Sequence, residues 1–339
     1  MGPVEEHFMN TLFYLIPARS NCRLNDETRL QYWIRRIRSG RRQAPIGGVK
    51  IMYQHCDMLN AHGFQAMPVH LDNSIVDWFP HRSKAISLAE ALEIATWSDI
   101  LICPENIPTK AELFPCANKV VFIQNWALTE RVTGLGKKYE DFGFTSILSC
   151  SNYLRKYMAD KSSLPSRVVI NGIDLEVFHN RAQPAKPNRV LMLNRRNIAD
   201  ARQAIDLLAP DIRRKAEYII LEDHYTQSEI AKQFRRADIF LAIGYPEGFA
   251  LPPLEAMASG CAVVGFTGGG GLEHMIDGQS ALVAEDGNIQ ELAQCLQQVL
   301  VNGALKKKLR ENGLRKAQEF SLANMEQQLL NFVQRMVTA

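Results

Sequence analysis

Short apolar runs alternate with amphipathic helical stretches along most of this chain, and that alternation leaves few architectures open. Leu12-Phe13-Tyr14-Leu15-Ile16 reads as a buried strand, residues 49–62 as a helix, and 66–71 as a second strand that Pro68 marks as edge or irregular. A helix over 88–96 and strands over 99–102 and 119–123 follow. The order recurs in the second half: strand 189–193, helix 200–208, strand 217–221, helix 227–236, strand 238–243. Strands alternating with helices imply parallel sheets covered on both faces, here an α/β chain with two Rossmann-like sheets in tandem. A length of 339 residues suits two domains. Residues 180–188 (NRAQPAKPN) are polar, hold two prolines and lack apolar periodicity, so they read as a linker or exposed loop. The expected division is 9–175 and 176–318. A last helix over 322–336 places Met325, Leu329, Leu330, Phe332, Val333 and Met336 on one broad apolar face.

Composition narrows the class further. Hydrophobic residues at 46% and charged residues at 22% are the profile of a globular protein, and a formal charge of +3 singles out no partner. Seven cysteines are scattered and form no CxxC pair, which argues for reduced, buried thiols rather than a disulfide frame or zinc site. The apolar stretch 9–17 is too short to span a bilayer and follows Glu5-Glu6, so no signal peptide is expected and the cytoplasm is the expected location. No DxD triplet and no His/Cys/Asp cluster with ligand spacing occurs, so neither a metal nor another cofactor is expected.

The segment richest in chemical implication is Gly244 to Gly260, GYPEGFALPPLEAMASG. It leaves a strand, passes through a loop and enters a short helix, with Pro252 or Pro253 at the first helical position and Gly260 as the left-handed cap. A loop feeding a helix N-terminus presents free N–H groups and a positive dipole end, which suit phosphate. Glu247 lies in the loop and Glu255 in the first helical turn, so both are expected to face one cleft, where a carboxylate accepts hydrogen bonds from a ribose diol or sugar hydroxyls. Gly47-Gly48 opens a helix where lack of a Cβ lets backbone approach a ligand. The run Gly268 to Gly271 reads as flexible.

Residues Glu247 to Met257 resemble the E-x7-E segment of the retaining GT-B glycosyltransferases of family 4. Four more segments agree in order. Pro45-Ile46-Gly47-Gly48-Val49 is similar to the family's glycine loop after the first strand. Asn171-Gly172-Ile173-Asp174 with Phe178 is similar to its N-G-[VI]-D-x-x-x-F crossover, and Gly268 to Gly271 with Glu273 to its glycine-rich turn. Asp277 to Val283 resembles the strand that closes the site. The resemblance runs from about Gly47 to Leu300, strongly in the second half and weakly between Asn73 and Ser149.

The resemblance implies a GT-B fold with facing domains, the last helix (319–339) crossing back onto the first domain. It also implies transfer from a nucleotide-sugar donor to a glycan or lipid-linked acceptor with retained configuration. Glu255 would hold the ribose and Glu247 the transferred sugar. The backbone of Gly248, Phe249, Ala250 and Leu251 would approach the sugar or diphosphate, with Gly47 and Gly48 facing the donor from the first domain. Arg195 and Arg196 would supply positive charge, arginine forks being well matched to phosphate. The chain departs from the family at Ala250, where a glycine is usual, and near Ala201 and Arg202, where the second cation is usual.

Other assignments stay open on the residues alone. A GT-B epimerase or phosphorylase shares the double fold, and a non-catalytic nucleotide-sugar binding subunit is the alternative from another class. Gln124-Asn125-Trp126 follows a strand end, where ligands gather in open α/β sheets. His55, His62 and His70 read as core or surface histidines rather than bases. Arg35, Arg36, Arg38, Arg41 and Arg42, around Trp33 and Ile34, fit a solvated face first and an anionic membrane or lipid-diphosphate contact second. Nucleic-acid binding is disfavoured because no motif accompanies the charge. The oligomeric state is open.

Overall fold

The computed structural model describes residues 10–17, 23, 24, 28, 31, 46–72, 74–76, 78–180, 186–194, 196–221 and 225–337. Arg195, the basic cluster from Arg35 to Arg42, Pro45 and residues 181–185 of the linker fall outside them.

The first half builds a seven-stranded sheet from β1 (Thr11–Ile16), β3 (Gln65–His70), β5 (Ile86–Ser87), β6 (Ile100–Pro104), β7 (Asn118–Ile123), β8 (Ser146–Ser149) and β9 (Ser166–Val168). The intervening β2 (Arg23–Leu24) and β4 (Ser74–Ile75) pair only with each other, antiparallel. The sheet order is β5-β3-β1-β6-β7-β8-β9, parallel throughout. Its central strands are continuous apolar runs because helices cover both faces; Leu12 to Leu15 and Ile100 to Cys103 have no exposed surface. Pro68 is only partly an edge residue. β3 pairs with β1 along its full length, and β5 flanks it only at Val69 and His70.

The second half builds a five-stranded parallel sheet from β10 (Arg189–Leu193), β11 (Glu217–Leu221), β12 (Ile239–Ala242), β13 (Ala262–Gly265) and β14 (Ala281–Val283), in the order β11-β10-β12-β13-β14. In each sheet the strand order reverses beside its first strand, between β1 and β6 and between β10 and β12. Such reversals open a crevice at the carboxyl ends of the strands.

The chain crosses between the sheets twice, and the two crossings hold each other. Ile173 donates to the Phe320 carbonyl at 2.8 Å, and Leu322 donates to that of Ile173 at 3.2 Å. A Cβ on Gly172 would lie 2.5 Å from the Ser321 carbonyl oxygen, so the crossover motif needs its glycine for this approach. Asp174 then caps the next turn, its carboxylate accepting from the Glu176 N–H at 2.9 Å, and Phe178 is buried against Phe234. Beyond the second crossing the helix Leu322–Val337 returns to the first sheet. It buries Met325, Leu329, Phe332 and Val333 there, Gln328 accepts from the Ile170 N–H at 3.0 Å, and Glu326 meets His62 at 3.1 Å.

Each half holds one histidine with no exposed surface. His55 lies between Tyr14 and Phe122, and His274 between Phe249 and Phe320. Burial pushes both imidazoles down to about 3. Their folded values lie below the unfolded one, so the unfolded chain binds more protons between about pH 3 and 6.5 and stability falls as pH drops through that window. Each contributes a slope of about 1.4 kcal/mol per pH unit there. His274→Phe is expected to remove one proton from the pH dependence of urea unfolding between pH 4 and 6. An unchanged slope would show that His274 is protonated in the folded chain.

Candidate active site

The loop between β12 and the helix Leu251–Ala258 is held on two sides by backbone. On one side runs the glycine segment after β13: Glu247 donates to the Gly268 carbonyl at 2.8 Å, and Gly270 donates to the Glu247 carbonyl at 3.1 Å. A Cβ on Gly270 would sit 2.0 Å from the carbonyl carbon of Gly248, and Gly268 and Gly269 have φ of +63° and +88°. The run expected to be flexible is instead packed against the loop, and it continues as a 3-10 turn, Gly270–Glu273.

On the other side stands the carboxyl end of the first sheet. A Cβ on Gly248 would lie 1.9 Å from the Gln124 carbonyl oxygen. Ser151 Oγ donates to the Gly248 carbonyl at 2.7 Å, Asn125 Nδ2 to that of Pro246 at 3.2 Å, and Trp126 Nε1 to that of Gly268 at 3.3 Å. Glu273 accepts from the Tyr153 N–H at 3.0 Å and from Asn152 Nδ2 at 3.2 Å. The loop reaches its helix through Ala250, which has the left-handed φ of +58° that favours glycine. A glycine at this position would adopt that conformation without steric cost.

A cavity of about 380 Å³ opens between the two sheets at both strand-order reversals. Pro17 lines it after β1, Glu105 and Asn106 after β6, and Gln124 and Asn125 after β7. Arg196 follows β10 and Glu247 follows β12. Gly47, Gly48, Phe249, Ala250, Leu251, Pro252, Arg131 and Asn171 also line it. A Cβ on Gly48 would press within 3.0 Å of the Gln124 side-chain amide, so this glycine serves a close approach. Arg196 lies 3.7 Å from the Glu247 carboxylate and hydrogen-bonds the Pro246 carbonyl. With the Arg196 side chain half exposed, that pair orients the two groups more than it stabilises the fold.

Glu255 departs from expectation. It lies past the first helical turn and does not line the open cavity with Glu247. It is buried, with Lys50 Nζ from the helix Gly47–Ala61 at 3.7 Å. Glu255 shares a helix face with Leu251, which lines the cavity, but lies one turn further along the helix and so is deeper than the opening. Ala201 is fully buried and Arg202 is exposed; neither lines the cavity. Asp277 accepts from the Val283 N–H at 2.9 Å and belongs to the turn into β14.

Sequence reasoning passed over Lys50 and Glu105. Glu105 is buried at the end of β6, its carboxylate accepting from the Asn125 N–H at 2.9 Å. Its place directly after an apolar strand was the available signal. The histidines lie elsewhere: His70 bonds Tyr53 at 2.7 Å, and among the described residues none lines the cavity. Among the described residues no group of three His, Cys, Asp or Glu side chains is arranged to hold a metal ion, and no helix is long and apolar enough to cross a membrane.

Residues 215–316 match the family Glycosyl transferases group 1. That stretch contains the whole clamped loop, the glycine run and β14. An uncharacterized glycosyltransferase of Methanocaldococcus jannaschii is 24% identical over 202 residues, 54% of this chain and 58% of that protein. An alpha-1,6-glucosyltransferase of Actinobacillus pleuropneumoniae is 36% identical over 110 residues, 31% of this chain and 33% of its own. The matches thus span less than two thirds of these relatives. Anabaena HepE, solved with UDP, superposes with a TM-score of 0.70 at 13% identity, covering 96% of this chain and all of that one. Sucrose-phosphate synthase from Thermosynechococcus elongatus gives 0.67 at 13%, covering 97% and 99%. The fold is therefore that of the GT-B glycosyltransferases.

The clamped loop predicts unequal costs for glycine substitutions. Gly248→Ala forces backbone apart and is expected to cost about 2–3 kcal/mol. Gly278→Ala, with φ of +65° and nothing within 4 Å, should cost about 1 kcal/mol. Urea midpoints compare them directly, and equal costs would show that the Gly248 contact is not a tight one.

Proposed function

We propose that this chain is a retaining glycosyltransferase that moves a sugar from a nucleoside diphosphate onto an acceptor hydroxyl within the cavity between the two sheets. The observation that carries the reading is the placement of Glu247 and Arg196 on the cavity wall, on a loop fixed by backbone contacts from both halves. The family match over 215–316 covers that loop. On this reading residues 176–318 hold the donor, while 9–175, with 319–339 folded back, present a glycan or lipid-linked acceptor.

The chemistry follows from what the wall offers. Breaking the bond from the anomeric carbon to phosphate leaves charge on the departing oxygen, and preorganised donors placed there lower the barrier. Arg196 and the N-terminal N–H groups of the two helices beginning at Gly47 and Leu251 converge on this space. On this reading Glu247 positions the sugar and Glu105 holds the Asn125 N–H, so the acceptor oxygen bonds to the anomeric carbon on the face the phosphate leaves. Its proton passes to the departing phosphate oxygen, and the leaving group takes the bonding pair. Glu247 accepts hydrogen bonds from the sugar hydroxyls and fixes the ring. Arginine and helix ends take the part a metal has elsewhere, and the protein works in the cytoplasm.

Two measurements test this. Glu247→Gln is expected to lower transfer about a hundredfold or more, with diphosphate affinity near wild type, because the contact strengthens only in the transition state. Normal turnover would remove Glu247 from the reaction, and a wild type that consumes no nucleotide sugar over a broad donor and acceptor panel would end the enzyme reading. Excess EDTA should leave the rate unchanged. A loss restored by magnesium or manganese would transfer the role of Arg196 to a metal.

A further inference from the structure

Among the described residues, the first half lends the cavity three buried polar side chains, Glu105, Asn125 and Asn171. Two of them are engaged by protein. The Glu105 carboxylate accepts from the Asn125 N–H, while the Asn125 carboxamide donates to the Pro246 carbonyl and accepts from the Ala127 N–H at 2.9 Å. Asn171 differs: it is only 5% exposed, and its Oδ1 accepts no hydrogen bond. Gln124, half-buried in the same wall, repeats the pattern with a buried Oε1 that has no partner. Glycines flank it on both sides, Gly48 against the side-chain amide and Gly248 against the carbonyl, and neither brings a side chain to it.

The two carboxamides stand at the carboxyl end of the first sheet, Gln124 after β7 and Asn171 beyond β9, with Cys150 after β8 between them. The Cys150 N–H donates to the Ile123 carbonyl at 3.2 Å, and its carbonyl accepts from the Asn171 N–H at 3.3 Å. A buried acceptor without a partner has lost its hydration and gained nothing in return. Such a group suits a ligand that brings a donor. A carboxamide, with an acceptor beside two donors, matches a hydroxyl that both donates and accepts. The surroundings disfavour an anionic ligand group. Burial pushes the Cys150 thiol up, and the carboxylates of Glu105, Glu273 and Glu247 push it further, so the field between the carboxamides is negative. Among the described residues, Arg131 is the one cation that the first half places in the wall, and it stands exposed in the last turn of the helix Trp126–Thr133.

We propose that Asn171 and Gln124 are acceptor-binding residues, and that the unit they read is an uncharged sugar held through hydroxyls other than the one that reacts. The inference rests on the transfer reaction proposed above and names the class of its acceptor. Both side chains belong to the half that presents the acceptor on that reading, which sets them apart from Glu247 and Arg196. Sugar phosphates and uronic acids fit this wall poorly, because their charge meets carboxylates and no buried cation.

The test compares transfer with the slow hydrolysis of the same donor, in which water replaces the acceptor. UDP-glucose, UDP-galactose, UDP-N-acetylglucosamine and GDP-mannose serve as donors. Methyl glucoside, galactoside and mannoside serve as neutral acceptors, and methyl glucuronide and glucose 6-phosphate as anionic ones. The wild type is expected to use a neutral acceptor with kcat/KM about tenfold or more above an anionic one. Asn171→Ala and Gln124→Ala should each lower the ratio of transfer to hydrolysis about tenfold through the acceptor KM, the size of a hydrogen bond whose partner is left unpaired. Among monodeoxy analogues of the best acceptor, the wild type should reject one that Asn171→Ala uses as well as the parent sugar. If an alanine variant does not fold, Asn171→Ser or Gln124→Asn is read in the same way. Equal use of anionic acceptors would overturn the inference, as would an unchanged ratio in both variants. An equal fall of transfer and hydrolysis would also overturn it, by assigning the carboxamides to the donor. Hydrolysis without transfer to any of these sugars overturns it too and leaves the donor site standing. A wild type that consumes none of the donors overturns the transfer reading and the inference together.

Discussion

The architecture turns on a contact between two stretches of backbone. Gly248 approaches the Gln124 carbonyl so closely that no side-chain carbon fits between them, and the glycine run packs equally close behind the same loop. The loop thus forms a middle layer between the carboxyl ends of two sheets. Neighbouring polar groups are satisfied across that boundary, as when Ser151 and Asn125 donate to the carbonyls of Gly248 and Pro246. Buried backbone groups need such partners, so the loop's shape depends on both halves.

That dependence explains why the catalytic candidates sit where they do. Glu247 has little freedom in its backbone, with its N–H and carbonyl both spent on the glycine run. Its side chain is left to face the cavity. Arg196 is drawn to the same place by the Pro246 carbonyl rather than by its weak ion pair. A group held within a fraction of an ångström by a rigid second layer can favour a transition state that a mobile group cannot.

Much of this was legible in the sequence, for physical reasons that differ between features. The central strands β1, β6, β7, β10 and β12 announce themselves because strands buried on both faces need unbroken apolar runs, and the edge strand β11 is legible from its apolar run although it is only half-buried. The outer strands β5, β8 and β9 are two to four residues long, too short to show a period. The glycines of 268–271 were visible as a run but looked slack, because sequence shows the missing Cβ and not the neighbour that needs the space. Glu255 was legible as a carboxylate near a helix start. Its partner was not, because Lys50 precedes it by two hundred residues and an ion pair leaves no local pattern. Ala250 stands out only once its φ is known.

The energies of the cross-cleft contacts bear on how such a site admits a ligand. A neutral hydrogen bond contributes about 0.5–1.5 kcal/mol net, so those of Asn125, Trp126 and Ser151 together amount to about 2–4 kcal/mol. The Lys50–Glu255 pair adds little beyond them, for its Coulomb gain is offset by lost hydration. A ligand shifts such an equilibrium only by its differential affinity for the two arrangements. Glu273 adds two charge-assisted contacts across the same boundary, to the Tyr153 N–H and Asn152 Nδ2, and the crossings at Ile173 and Phe320 join the two halves by backbone as well.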